Sequence, residues 1–313
     1  MRVMFCGRAF PEMPSYLIDA FKGQHEVLIW DGAFESMPSN IDVIIPRAMR
    51  IGPAEMDRSG AKLIQQFGVG LDGVDIPAAI ERGIAVANVP GTGANADSVA
   101  EHAIMLILML LRQVKATQES VRSGILGGPA GKALLGQTVC LYGLGSIAEA
   151  IATRITPFGV RLIGLTRTLD SAKTARFRLE RCYPTENIKT CLSQTDILIM
   201  CVRHTRETTD LVGEAELRWL RQGGLVINIA RGGLINREGL EKCLADGHLG
   251  GAGLDVFWEE PADPADTLLT YPNVVATPHV AGITDRSLCD IADEVCANIL
   301  RFARHEPLRH RVA

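Results

Sequence analysis

Hydrophobic residues in the first part of the chain fall in short β-prone runs separated by helical stretches. The runs at 2–6, 26–30, 42–45, 62–66 and 84–88 predict strands, and the stretches at 14–21, 53–58 and 77–82 predict helices. Each of these helices opens on a proline, which the first turn tolerates because an N–H there would lack an intrahelical partner. Strands alternating with helices at this spacing predict a parallel sheet. The segment from Asn88 to Asn95 reads as a linker. A long helix is expected over 99–122, with Ser98 as its cap and Glu101 completing a capping box. Its run from Ala103 to Leu111 is apolar on every side, which predicts a helix buried between domains or at a subunit contact. That run is about half of what a bilayer crossing needs, so a core helix is expected rather than a membrane span.

The pattern then changes around one turn. The β-prone run 137–142 leads into Gly143-Leu144-Gly145-Ser146-Ile147-Ala148, a helical pattern follows, and a second β-prone run occupies 160–165. Strand, glycine turn, helix and strand in this order form the dinucleotide-binding fingerprint, with Ala148 at its third small position. Gly143 permits the tight turn, Gly145 lets the backbone approach a pyrophosphate, and the helix N-terminus offers N–H groups and partial positive charge. A plain tight turn is the alternative for the glycines alone. Further strands are expected at 196–202, 225–229, 253–257 and 274–277, with helices at 214–221 and 237–246. Asn236 and Gly247 mark the ends of the latter. An amphipathic helix at 284–305 closes the chain through Leu288, Ile291, Val295, Ile299, Leu300 and Phe302.

A length of 313 residues suits two domains, and 47% hydrophobic residues can fill two cores. The net charge of −4, without a basic run, argues against nucleic acid as a partner. Eight cysteines without a C-x-x-C pair or metal-ligand spacing predict reduced thiols in a cytoplasmic protein and no metal site. The N-terminus reads as a first strand, not as a signal peptide.

Three candidates for chemistry follow late strands: Arg231, Glu260 and His279. Open parallel sheets bind ligands beyond the carboxyl ends of their strands, where all three fall. A nicotinamide cofactor moves a hydride to or from a carbon bearing oxygen. That oxygen needs a proton partner, which imidazole, with an ordinary pKa of about 6.5, can be. A carboxylate would orient the imidazole, and an arginine would grip a substrate carboxylate in two places. Taken singly, the histidine could be structural and the arginine could brace a turn. In the first domain, the glycine-rich loop 67–73 could curl and present main-chain N–H groups to an anion, or be only a turn. Arg47 and Arg50, after the third strand, could face a cleft or be solvated.

The sequence resembles the D-isomer-specific 2-hydroxyacid dehydrogenases over nearly its whole length. The resemblance rests on Gly68-Val69-Gly70-Leu71-Asp72, Asn88-Val89-Pro90, Val99-Ala100-Glu101-His102, the glycine turn from Gly143, Asn228-Ile229-Ala230-Arg231-Gly232, Leu254-Asp255-Val256-Phe257 with Glu260-Pro261, and Thr277-Pro278-His279. It implies an α/β fold of two Rossmann-like domains with parallel sheets and the active site in the cleft between them. Residues 1–97 and 287–313 would form a flavodoxin-like substrate domain, and 98–286 an NAD(P)-binding domain. The long helix would support a homodimer. Arg231 would bind the substrate carboxylate and carbonyl, His279 would be general acid and base, Glu260 would hold His279, and Val69 and Gly70 would bind the carboxylate. Asp255 would contact the nicotinamide carboxamide. The implied cofactor contacts also include Gly143, Gly145, Ser146, Ile147, Arg167, Thr168, Val202, Arg203, Thr208, Ile229 and Ala230. The implied reaction is hydride transfer between NAD(P)H and a small 2-ketoacid or D-2-hydroxyacid, of glyoxylate, hydroxypyruvate or phosphohydroxypyruvate type. A dinucleotide-sensing protein of corepressor type is the rival reading. Formate dehydrogenases resemble a Gln-His pair where this chain has Glu260 and His279. Two departures stand out: Arg203-His204-Thr205 replaces a Pro-Leu-Thr stretch, and Leu165-Thr166-Arg167-Thr168 stands where an acid commonly ends the second cofactor-domain strand. The second points to NADP(H), with NAD(H) as the alternative.

Overall fold

A computed structural model describes residues 1–7 and 10–313. The chain forms two compact units, Met1–Asn95 with Thr284–Ala313, and Ala96–Ile283. Both joins lie a few residues before the expected ones, for a local reason at each. Ala96 is buried in the second unit's core. Thr284 caps the last helix of the first, its hydroxyl accepting from the Ser287 N–H at 3.1 Å.

The first unit runs β1 (Arg2–Cys6), α1 (Met13–Phe21), β2 (Glu26–Trp30), β3 (Val43–Ile45), α2 (Pro53–Ser59), β4 (Leu63–Gln65), α3 (Ile76–Glu81) and β5 (Ala85–Ala87). The next helices are α4 (Gly93–Leu111) and α5 (Val114–Arg122). The second unit continues with β6 (Thr138–Tyr142), α6 (Ser146–Ile155), β7 (Arg161–Thr166), α7 (Ser171–Arg176), β8 (Arg181–Pro184), α8 (Ile188–Leu192) and β9 (Ile197–Met200). It closes with α9 (Glu214–Trp219), β10 (Gly224–Asn228), α10 (Arg237–Ala245), β11 (Leu249–Leu254) and β12 (Val274–Ala276), and α11 (Asp285–Ala303) returns to the first unit.

Both sheets are parallel throughout, with orders β2-β1-β3-β4-β5 and β12-β11-β10-β9-β6-β7-β8. The first is the flavodoxin-like order. In the second, strand order reverses between β6 and β9, so the loops after these strands part and leave a crevice for a ligand. The central strands of both are buried on both faces, as parallel sheets covered by helices require.

The expected helix 99–122 is two helices. The first starts at Gly93, so Ser98 lies inside it rather than at its cap. Polar composition suggested a linker there, but burial of Ala96 and Val99 outweighs that local preference. The break comes from tertiary contacts: the Lys132 N–H takes the Leu111 carbonyl at 2.8 Å, and Gln113 turns left-handed at φ +49. The extended α4, at 19 residues, is long and apolar enough to cross a membrane, but more than half of that stretch is buried inside the protein.

The strand expected at 253–257 lies earlier, at β11. Gly251 and Gly253, inside this strand, let a helix lie close. A Cβ on Gly253 would stand 3.0 Å from Leu106 Cβ, and one on Gly251 3.0 Å from a Leu110 methyl. Asp255 is thereby placed just beyond the strand end. The short α7, β8 and α8 are not among the expected elements; Phe177, Leu179 and Tyr183 are buried around α7 and β8, and Cys191 and Leu192 are buried in α8.

Candidate active site

Arg231, Glu260 and His279 follow β10, β11 and β12, three neighbouring strands. Their loops are held together by a close approach and by a buried carboxylate. Gly232 lies against the backbone of the next loop: a Cβ there would stand 2.1 Å from the Phe257 carbonyl carbon, so only glycine fits. Asn228 ties the Arg231 turn, donating to the Arg231 carbonyl at 2.8 Å and accepting from the Ala230 N–H at 3.1 Å. The Arg231 guanidinium donates through Nη1 to the Ala230 carbonyl at 2.7 Å.

His279 Nδ1 lies 2.7 Å from Glu260 Oε2, and the other Glu260 oxygen accepts from the Phe257 N–H at 3.1 Å. Burial raises the Glu260 pKa. The hydrogen bond and charge of His279, the Phe257 N–H and the charge of Arg231 lower it more, leaving the carboxyl below its ordinary range. The pair therefore stays ionised on the glutamate side and orients the ring through Nδ1–H. The side chains remain 34% and 30% exposed, enough for the ring to meet a ligand.

Asp255 lies just beyond β11. It is 1% exposed, and its carboxylate is engaged by the loop that carries His279: it accepts from Thr277 Oγ1 at 2.6 Å and from the N–H groups of Val280 and Ala281 at 2.9 Å each. His102 Nε2, on α4, lies 2.8 Å from Thr277 Oγ1 and 3.4 Å from Asp255 Oδ1. The sequence contained both residues in conspicuous stretches, but nothing in it pairs positions so distant along the chain.

The glycine turn lies at the strand-order reversal. Gly143 is at φ +96, and a Cβ there would stand 2.7 Å from the Cys201 carbonyl of the β9 loop. Gly145 is the N-cap of α6, and a Cβ on it would meet nothing within 4 Å. A backbone open on one side at a helix N-terminus suits a pyrophosphate. Ser146 and Ile147 form the first turn of α6, and fully buried Ala148 packs the helix close. Val202 is half-buried in the β9 loop, and Ile229 is buried and Ala230 half-buried beyond β10. Thr208 serves its own loop, its hydroxyl donating to the Arg203 carbonyl at 2.9 Å and accepting from the Thr205 N–H at 2.7 Å. Arg167, Thr168 and Arg203 are exposed. Asp170, the next acid after β7, caps α7 by accepting from the Lys173 N–H at 3.1 Å.

In the first unit, the Gly68 carbonyl accepts from the Val89 N–H at 2.9 Å, the Val69 carbonyl from Asn88 Nδ2 at 2.9 Å, and the Gly70 carbonyl from Gln66 Nε2. In a planar trans peptide the N–H points opposite to the preceding carbonyl. The N–H groups of Val69 and Gly70 are therefore directed away from these partners. Gly68, at φ +126, makes the turn possible. Arg50 is exposed, but Arg47 is 7% exposed, with its guanidinium 4.9 Å from the Phe5 ring centre. Nη1 donates to the Gly7 carbonyl at 3.1 Å, while Nε and Nη2 are buried without a hydrogen-bond partner among the described residues. Burial pulls its pKa down to about 10, against the opposing charge of Cys6.

The family model for the NAD binding domain of D-isomer specific 2-hydroxyacid dehydrogenases matches residues 104–281. The chain is 31% identical to a glyoxylate reductase of Pyrococcus furiosus, across 97% of this chain and 93% of that one. It is 36% identical to a glyoxylate/hydroxypyruvate reductase of Arabidopsis thaliana, across 77% and 72%. The fold is similar to that of an NADPH-dependent glyoxylate/hydroxypyruvate reductase from Sinorhizobium meliloti, solved with NADP and malonate: TM-score 0.86, 30% identity, 100% of this chain and 96% of that one. The family match over more than half of the chain, on the fold and the three strand ends described above, shows that the chain belongs to the D-isomer specific 2-hydroxyacid dehydrogenases.

Proposed function

We propose that the protein reduces a small 2-ketoacid to a D-2-hydroxyacid, with NADP(H) as its preferred cofactor and His279 as the proton donor. The observation that carries this is the Glu260–His279 pair with Arg231 beside it, beyond three neighbouring strands of the sheet that holds the glycine turn. When bound, the cofactor supplies a hydride to the ketone carbon. Gly143, Gly145, Ser146 and Ile147 would hold its pyrophosphate. Arg231 grips the substrate carboxylate and polarises the neighbouring carbonyl. Glu260 holds Nδ1–H of His279, which leaves Nε2 to give its proton to the ketone oxygen; in the reverse direction Nε2 takes it back. In the first unit, the N–H groups of Val69 and Gly70 suit a carboxylate. Arg47, with two nitrogens unpartnered among the described residues, suits a second anionic group on the substrate.

The relatives named as reductases support turnover over a corepressor role. The eight free thiols suit the cytoplasm. An open apolar groove along α4 suits a second copy of the chain, giving a homodimer.

The test is His279→Gln. A well-placed proton donor contributes about 100- to 10,000-fold in rate. The variant is expected to lose at least about 100-fold in kcat while binding NADPH like the wild type in a fluorescence titration. Near-normal turnover would overturn the reading.

A further inference from the structure

We propose that His102, acting through Thr277 and Asp255, is a positioning residue that holds the His279 loop in its proton-transfer geometry; this rests on the reading of His279 as the proton donor. An ionised Asp255 can only accept, and Thr277 Oγ1, 2.6 Å away, has one proton to give. Thr277 therefore donates to Asp255, and its lone pair accepts from His102 Nε2–H at 2.8 Å. The chain of bonds runs from His102 to Thr277 to Asp255, and it sets His102 as the tautomer protonated on Nε2. Burial lowers the His102 pKa more than the charge of Asp255 raises it, so the ring stays neutral near pH 7.

The receiving end of this chain is the loop that carries the proton donor. Asp255 binds the N–H groups of Val280 and Ala281, and its backbone carbonyl accepts from the His279 N–H at 2.7 Å. His279 itself sits at φ +56, a left-handed conformation that is unfavourable for a non-glycine residue and persists only when its surroundings impose it. Here Thr277 before it and Val280 and Ala281 after it are bound to one carboxylate. Loss of the Thr277 hydroxyl removes one of those ties, and loss of the His102 N–H frees the hydroxyl to turn from Asp255. Either change would let the ring swing from its aim, and a misplacement of about 1 Å can cost about 100-fold in rate.

The test measures kcat, KM and the Kd of NADPH, using whichever of glyoxylate, hydroxypyruvate and phosphohydroxypyruvate the wild type reduces fastest. Thr277→Val and His102→Leu are expected to lower kcat by about tenfold or more, with KM and Kd within about threefold of the wild type. Thr277→Ser keeps the hydroxyl, and His102→Gln can place an amide N–H where Nε2–H stood. Both are expected to retain kcat within about threefold. Combining His102→Leu with Thr277→Val in one chain should lower kcat no further than the worse single change, because both break one chain of bonds. The proposal is overturned if the two single variants keep wild-type kcat, if the conservative pair is damaged equally, or if the losses multiply. His279→Gln, assayed alongside, separates the two readings. If it keeps its turnover, the role of His279 itself is wrong; if it alone loses turnover, only the positioning chain is wrong.

Discussion

At the scale of one side chain, the proposed preference for NADP(H) rests on Arg167. An NAD site usually ends its second strand with an acid that bonds the ribose 2′-hydroxyl and repels a 2′-phosphate. Beyond β7 the nearest acid, Asp170, is spent on capping α7, and an exposed guanidinium lies between two threonines. A guanidinium with hydroxyls suits a phosphate. The expected result is a higher kcat/KM for NADPH than for NADH, and an Arg167→Ala variant that loses most of this difference; equal values in the wild type would refute it. His102 carries a second prediction at this scale. Burial holds its folded pKa below the ordinary 6.5, so between those two values the unfolded chain binds more protons than the folded one. Stability then rises with pH: this contribution is complete above about 6.5 and is lost as pH falls below it. His25 is shifted the same way by burial and adds to the slope. Melting temperatures followed from pH 7 to 5 are expected to fall less steeply for His102→Gln than for the wild type; parallel curves would show that His102 does not titrate in this way.

At the scale of elements, β6, its turn and α6 make separable demands on their two glycines. Gly143 is needed by the fold, since a side chain there would meet the Cys201 carbonyl and the backbone is left-handed. Gly145 has an ordinary extended backbone and open space around its missing Cβ. Its glycine therefore serves whatever approaches from outside. Gly143→Ala should lower both melting temperature and NADPH affinity. Gly145→Ala should leave the melting temperature within a few degrees, as a shift of about 1 kcal/mol would allow, and weaken NADPH binding by about tenfold or more. Unchanged affinity in Gly145→Ala would remove the pyrophosphate from this turn.

For the whole molecule, the question is what covers α4. Its exposed side borders a groove of ≈ 570 Å³ lined by Ile104, Met105, Leu108, Met109 and Phe158, with Arg112 and Arg154 among its polar members. Met105 is 39% exposed in the middle of the helix. Apolar surface of this kind is stabilised by burial at roughly 25 cal/mol per Å². If the proposed homodimer forms here, Met105→Glu together with Leu108→Glu should halve the mass measured by light scattering without unfolding the chain. A wild-type monomer at micromolar concentration would exclude the dimer.

Much of this was legible in the sequence because it follows from local rules. Short apolar runs alternating with helices require a parallel sheet, since neighbouring parallel strands need a crossover. The glycine turn showed itself because Gly143 excludes a side chain there and Gly145 leaves an open backbone at a helix N-terminus. Arg231, Glu260 and His279 stood out because each follows a recognisable strand. Other features depended on contacts between distant segments. The start of α4 was hidden because burial of Ala96 outweighs a linker-like composition. Its end was hidden because residues past 130 take the Leu111 carbonyl. β11 lies ahead of the expected strand because its glycines let Leu106 and Leu110 of α4 pack close to it. The surroundings of Asp255 belong to the same class. The sequence by itself determined which residue types stand at the strand ends. Only the tertiary structure decided that Asp255 turns inward to Thr277, Val280 and Ala281, because a buried carboxylate takes the donors that folding brings to it, however far apart they lie in the chain.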